Sequence, residues 1–219
     1  MRKIFLATAI SLASALPLAA QTGSPVDAGG SYVGPFGPVA SGGTPTFAQT
    51  FTRTAGQNYL QSFSFFLGDN APDASGPQLK FQAEVFEMSG TSLGNQLFVS
   101  TQQSGSANYF GFDTYSFGTP NLFLNPGVST FALVLRSVSS LNGALNVVGA
   151  GGTDYAGGAF FIVNSDNSLS PAIDGTSDAA FSATLTSAVV DVVPEPSSLV
   201  LLVTGLSGLM VLAVRRKRV

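Results

Sequence analysis

Carboxylates, amides and tyrosines carry whatever site chemistry this chain has, because it contains no His, no Cys and no Trp. Zinc, haem and iron–sulfur ligation by the usual residues, Cys or His nucleophiles and a Ser-His-Asp triad are excluded. Glu84 and Glu87 lie close in sequence, and glycoside hydrolysis would need two such carboxyls facing one cleft. A spacing of three puts them on opposite faces of a strand. Glu84 shares its expected face with Lys80 and Gln82, which reads as a solvated surface acid. No enzyme is expected.

Oxygen-rich clusters recur in the turns: Asp69, Asn70 and Asp73; Asn164, Asp166 and Asn167; Asp174 with Asp178. Calcium needs clustered oxygen ligands, yet none of the three has a complete calcium-loop spacing. Asp and Asn are also favoured turn residues, which accounts for all three, so no cofactor is expected and a structural calcium ion is the second reading. Tyr109, Asp113 and Tyr115 share one face of an expected strand, a pattern that could stack and hydrogen-bond a sugar. Phe110 and Phe112 should then face the core. The simpler reading is that these tyrosines bridge core and water.

The elements that must position these residues have a period of two. Leu79, Phe81, Ala83 and Val85 alternate with Lys80, Gln82 and Glu84, giving one dry and one wet face. Phe131, Leu133 and Leu135 repeat the pattern, as do Phe181, Ala183 and Leu185. Further strands are expected at 47–53, 59–67, 96–101, 109–117, 145–148 and 159–163, separated by turn-formers such as Asn125-Pro126-Gly127 and Asn142-Gly143. The fold class is all-β: an antiparallel two-sheet sandwich, jelly-roll-like, over residues 46–190. The chain's eighteen Phe make an apolar core plausible, since no disulfide can hold the fold. Residues 21–45, rich in Gly and Pro, read as a loosely ordered lead-in pinned by Tyr32 and Phe36.

Charge is partitioned along the chain. Between residues 21 and 193 three basic residues (Arg53, Lys80, Arg136) face eleven acidic ones, a net charge of −8. Such a domain repels phosphate backbones, so nucleic acid is not an expected partner. Arg2 and Lys3, an apolar stretch over 4–16, Pro17 and small residues at 18–20 form a signal peptide expected to be cut after Ala20. At the other end, no charge interrupts residues 197–214, which as a helix rise about 27 Å, close to a bilayer's hydrocarbon thickness. Arg215, Arg216, Lys217 and Arg218 then stop it and should stay in the cytoplasm. In Val193, Pro194, Glu195 and Pro196 the prolines enforce an extended segment just outside that helix.

The tail, residues 191–219, resembles a PEP-CTERM sorting signal. Pro194, Glu195 and Pro196 match the triplet that names it, Gly205 and Gly208 its helix glycines, and Arg215, Arg216 and Arg218 its basic cluster; Lys217 departs from the arginines. The resemblance implies recognition by an exosortase, a membrane protease cutting near the triplet, with Gram-negative envelope export and association with exopolysaccharide and biofilm. The protein would sit anchored in the inner membrane with its domain in the periplasm, then reach the cell surface or the exterior. The segments 49–52, 60–65, 125–127, 157–160 and 178–181 are similar to β-sandwich ectodomains found upstream of such tails, which supports fold more than function. A non-enzymatic envelope or matrix protein is expected; a carbohydrate-binding module acting on surface polysaccharide is the alternative.

Overall fold

In the computed structural model the described residues are 19–22, 32–69, 79–106, 111–140, 144–152, 155–172 and 178–189. Tyr109, Asn70, Asp73, Asp174, the Asn142-Gly143 turn, most of the expected signal peptide and the whole of 191–219 lie outside them. No helix among the described residues is long and apolar enough to cross a membrane.

Two antiparallel sheets share one core. The first contains β1 (Ala19–Thr22), β2 (Tyr32–Phe36), β4 (Tyr59–Asp69), β8 (Asp113–Phe123), β10 (Asn146–Gly152), β13 (Asp178–Ala179) and β14 (Phe181–Thr186). The second runs β12 (Leu169–Pro171), β11 (Phe160–Val163), β3 (Thr46–Thr52), β9 (Thr130–Ser140), β5 (Leu79–Ser89), β6 (Ser92–Val99), with β7 (Gln103–Ser104) also on β5. In the first sheet β4 pairs with β8 on one edge and with β14 and β10 on the other. From β3 to β5 and again from β8 to β11 the chain changes sheet at each step, whereas β5 and β6 form a hairpin within the second sheet. Inner positions of one sheet therefore meet those of the other: Phe81 on β5 packs edge-on against Phe117 and Tyr115 of β8 and Phe36 of β2.

The dry faces read from alternation are the inner faces. Leu79, Phe81, Ala83, Val85, Phe131, Leu133, Leu135, Phe181, Ala183 and Leu185 are all buried in one cluster. The lead-in is more ordered than expected, because β2 joins the first sheet by pairing with β10, while Phe36 is fully buried, in keeping with its reading as a pin. Pro35 is tolerated there because its polar edge faces Thr44, whose N donates to Pro35 O at 2.9 Å, rather than β10, so its missing N–H costs no β2–β10 ladder bond. Tyr32 is exposed and pins nothing.

The second sheet's other face is the larger correction. Its middle is not wet, although Lys80 and Gln82 stay partly exposed: Ala48, Phe86, Leu93, Ala132, Val134 and Val163 form a separate buried cluster there. Its cover comes from the sheet curling until its edges meet. Ser92 bridges Ser168; Leu93 N donates to Asn167 O and Leu169 N to Thr91 O, both at 2.9 Å. Glu84, expected in solvent, is 5% exposed on this face. Arg136 on β9 neutralises it, with Nε donating to Oε1 at 3.0 Å and Nη2 to Oε2 at 3.1 Å.

One polar group crosses the main core. Gln49, fully buried on β3, donates through Nε2 to Asp178 Oδ1 at 2.8 Å and accepts from Ala179 N through Oε1 at 2.8 Å. Asp178, read from sequence as a loop acid, is thus a buried tie between the sheets. Close approach also explains Gly158, where a Cβ would run into the Thr50 carbonyl oxygen while Thr50 Oγ1 accepts from Ala159 N.

Candidate functional site

Of the expected sugar-facing trio, Asp113 and Tyr115 are described, and they share a strand parity as the spacing requires. That parity points inward at Tyr115, which lies partly buried between core and water rather than on an outward sugar-facing platform. Its ring meets Phe81 edge-on at 5.1 Å, and Phe117 two residues on is buried. Asp113 is exposed at the strand's start and accepts from Ser106 Oγ at 2.6 Å. The pair is not an outward platform: β8 begins only at Asp113, so the core-facing parity expected of Phe112 does not carry into it.

Burial, and secondarily the Asp113 carboxylate, pushes the Tyr115 hydroxyl up to about 12. A raised folded-state value means the neutral phenol is favoured by folding. That contribution is complete below about pH 10 and is lost as pH climbs from 10 to 12. Unfolding by urea should therefore become easier across this window, and Tyr115→Phe should make the loss shallower. An identical pH profile in the variant would contradict it.

The carboxylates are committed structurally. Glu84 holds Arg136, and Glu87 accepts from Asn95 Nδ2 at 2.8 Å. Asp166 accepts from both N and Oγ of Ser168, hydrogen bonds that hold its carboxyl below the usual range and shape the β11–β12 turn. Among the described residues no group of three or more His, Cys, Asp or Glu could hold a metal ion. A cleft of about 330 Å³ opens between the edges of β6 and β8, lined by Phe98, Val99, Ser100, Thr101, Ser116 and Phe117.

A surface feature that the spacing did not reveal lies on the outer face of the first sheet. Its middle is uncharged, with Ser62 and Ser64 of β4, Thr114 and Ser116 of β8 and Ser182 and Thr184 of β14; Ser64 and Ser182 hydroxyls lie 2.7 Å apart. At one end the ladder is interrupted by a bulge between Leu60 and Ser62, opposite which Asn121 has φ 58°. Gln61 locks it: Nε2 donates to Asn121 Oδ1 and Thr186 Oγ1, each at 3.0 Å, and Oε1 accepts from Asn121 N at 3.2 Å. Two residues on, Phe123 is 52% exposed, its ring 5.7 Å from that of its cross-strand partner Tyr59. The sequence signal was the Pro120-Asn121 pair, a bulge-former within a strand.

The comparisons bear on the tail. No curated protein and no solved structure matches the chain. Residues 192–218 match the family model of the PEP-CTERM protein-sorting motif, so this chain carries that sorting motif at its C-terminus.

Proposed function

We propose that this is an exported, non-enzymatic cell-envelope or matrix protein of a Gram-negative bacterium, sorted and processed by an exosortase at its tail. The motif match at 192–218 carries the reading. The charge pattern supports it: two cationic ends flank an acidic domain, as expected if both ends stay inside while the domain crosses. In this account the signal peptide is removed after Ala20, residues 197–214 hold the domain at the inner membrane, and cutting near Pro194-Glu195-Pro196 releases it from that anchor. Removal after Ala20 would free Leu185 and Thr184 of β14 from Ala19 and Ala20, leaving Gln21 and Thr22 paired with Ala183 and Ser182.

Mass spectrometry of the mature C-terminus, in cells with and without the processing protease, tests this. The expected result is an end near residue 195 in the first and an intact Arg-rich end in the second. An intact end in both would leave a plain anchor. A second reading, binding of surface polysaccharide, is favoured by one observation, the exposed ring of Phe123 beside the partly buried Tyr59.

A further inference from the structure

We infer that the mature chain is chemically closed at its N-terminus: once the signal peptide is removed after Ala20, the freed amine of Gln21 condenses with its own side-chain amide into a pyroglutamate ring. The inference rests on the proposed cut after Ala20 and on nothing in the tail.

Residue type and position supply the chemistry. The cut makes Gln21 the first residue, so an amine and a γ-carboxamide belong to one side chain and backbone. The amine nitrogen attacks Cδ and the new C–N bond closes a five-membered lactam. The Cδ–Nε2 bond breaks, and ammonia leaves with the proton that the amine sheds. No second substrate, oxidant or reductant enters. An α-amine ordinarily titrates near 7.7–8.0, so about a tenth is uncharged and nucleophilic at pH 7. Holding both partners in one residue makes the attack unimolecular, which removes the entropic cost of bringing them together.

The fold supplies the reason for closure to persist. β1 ends the first sheet and, among the described residues, pairs with β14 alone, with Gln21 opposite Ala183 and Thr22 opposite Ser182. Ala183 is fully buried, between Phe181 and Leu185 of the core. The cut takes Ala19 and Ala20 away from Leu185 and Thr184 and would leave an ammonium heading a two-residue strand against β14. A charge there gives up hydration to stay in the ladder, which favours fraying. The lactam is neutral, and its nitrogen is again an amide with one N–H, as in the uncut chain. Ring closure therefore lets residue 21 keep its place opposite Ala183. No other described strand lies along β1, so the reacting end is not enclosed by the sheet.

The test uses the full chain exported from a Gram-negative host. Its free amines are reductively methylated in the native protein, which blocks any closure during later handling. The tryptic peptide ending at Arg53, the first basic residue after the cut, is then weighed. It is expected to begin at residue 21, to be lighter than the open form by one ammonia and to carry no methyl label. Treating that peptide with pyroglutamyl peptidase should remove one residue and expose Thr22. Gln21→Asn, whose closure would need a strained four-membered ring, should be cut at the same bond and take the label in full. A parent peptide that starts at residue 21 with a labelled amine and an intact amide overturns the inference and leaves the export reading standing. An unlabelled end in Gln21→Asn as well as the parent also overturns it, because another acyl group then blocks both. A peptide that starts elsewhere overturns the cut after Ala20 and this inference together.

Discussion

Replacing Phe81 by alanine is expected to lower the free energy of unfolding by about 3–5 kcal/mol, the range for deleting a buried aromatic ring that neighbours cannot refill. Phe81 is fully buried and belongs to the second sheet, yet three of its ring partners, Phe36, Tyr115 and Phe117, belong to the first. Its removal thus opens a void between layers rather than within one. Chemical denaturation followed by far-UV circular dichroism should show the midpoint falling with an unchanged denaturant slope. Phe81→Leu should recover roughly half of the loss, because it returns most of the volume but not the edge-to-face contacts. A loss under about 1 kcal/mol in Phe81→Ala would mean the sheets are not held together here.

The second large effect is expected at Arg136. Arg136→Ala leaves Glu84, whose side chain is 6% exposed, without its guanidinium. Stranding a buried charge costs about 3–5 kcal/mol; the Arg136 side chain is 36% exposed, so water offsets part of this and about 2–3 kcal/mol is expected. The informative comparison is the double variant Glu84→Met with Arg136→Met. It removes both charges and should be more stable than Arg136→Ala alone, since the neighbouring cluster around Val134 and Phe86 is apolar. If the double variant were the less stable of the two, the pair would be contributing net attraction rather than mutual neutralisation. Arg136→Lys should fall between parent and Arg136→Ala, because an ammonium cannot reproduce the forked contact to both carboxylate oxygens.

Glu84 also shows where local reading stops. Alternation along 79–85 is imposed by the pleat, so it identifies the inner face without knowledge of any other strand, and every dry position read that way is buried. Whether the opposite face meets water depends on a remote event, the meeting of Ser92 with Ser168 as the sheet curls. A trace of it is local: residues 131–135 are all apolar, with Ala132 and Val134 filling the second face, as in strands buried on both sides. The orientation of Tyr115 is open in the sequence for a related reason. A tyrosine suits either face, so its direction follows from the strand's true start at Asp113 and from Phe81 across the layer.

The sorting tail was readable from residues 193–218 alone, because apolar length, a proline-bounded triplet and a cationic stop are properties of a contiguous segment that needs no partner elsewhere. Strand type and the inner core were likewise settled by local periodicity. Three features waited for the folded chain: the second buried cluster, the neutralised Glu84, and the exposed Phe123 just beyond the Asn121 bulge. Each depends on contacts between residues far apart in the chain. Such contacts are selected by how the sheets close and pack, and no short stretch of residues encodes that closure by itself.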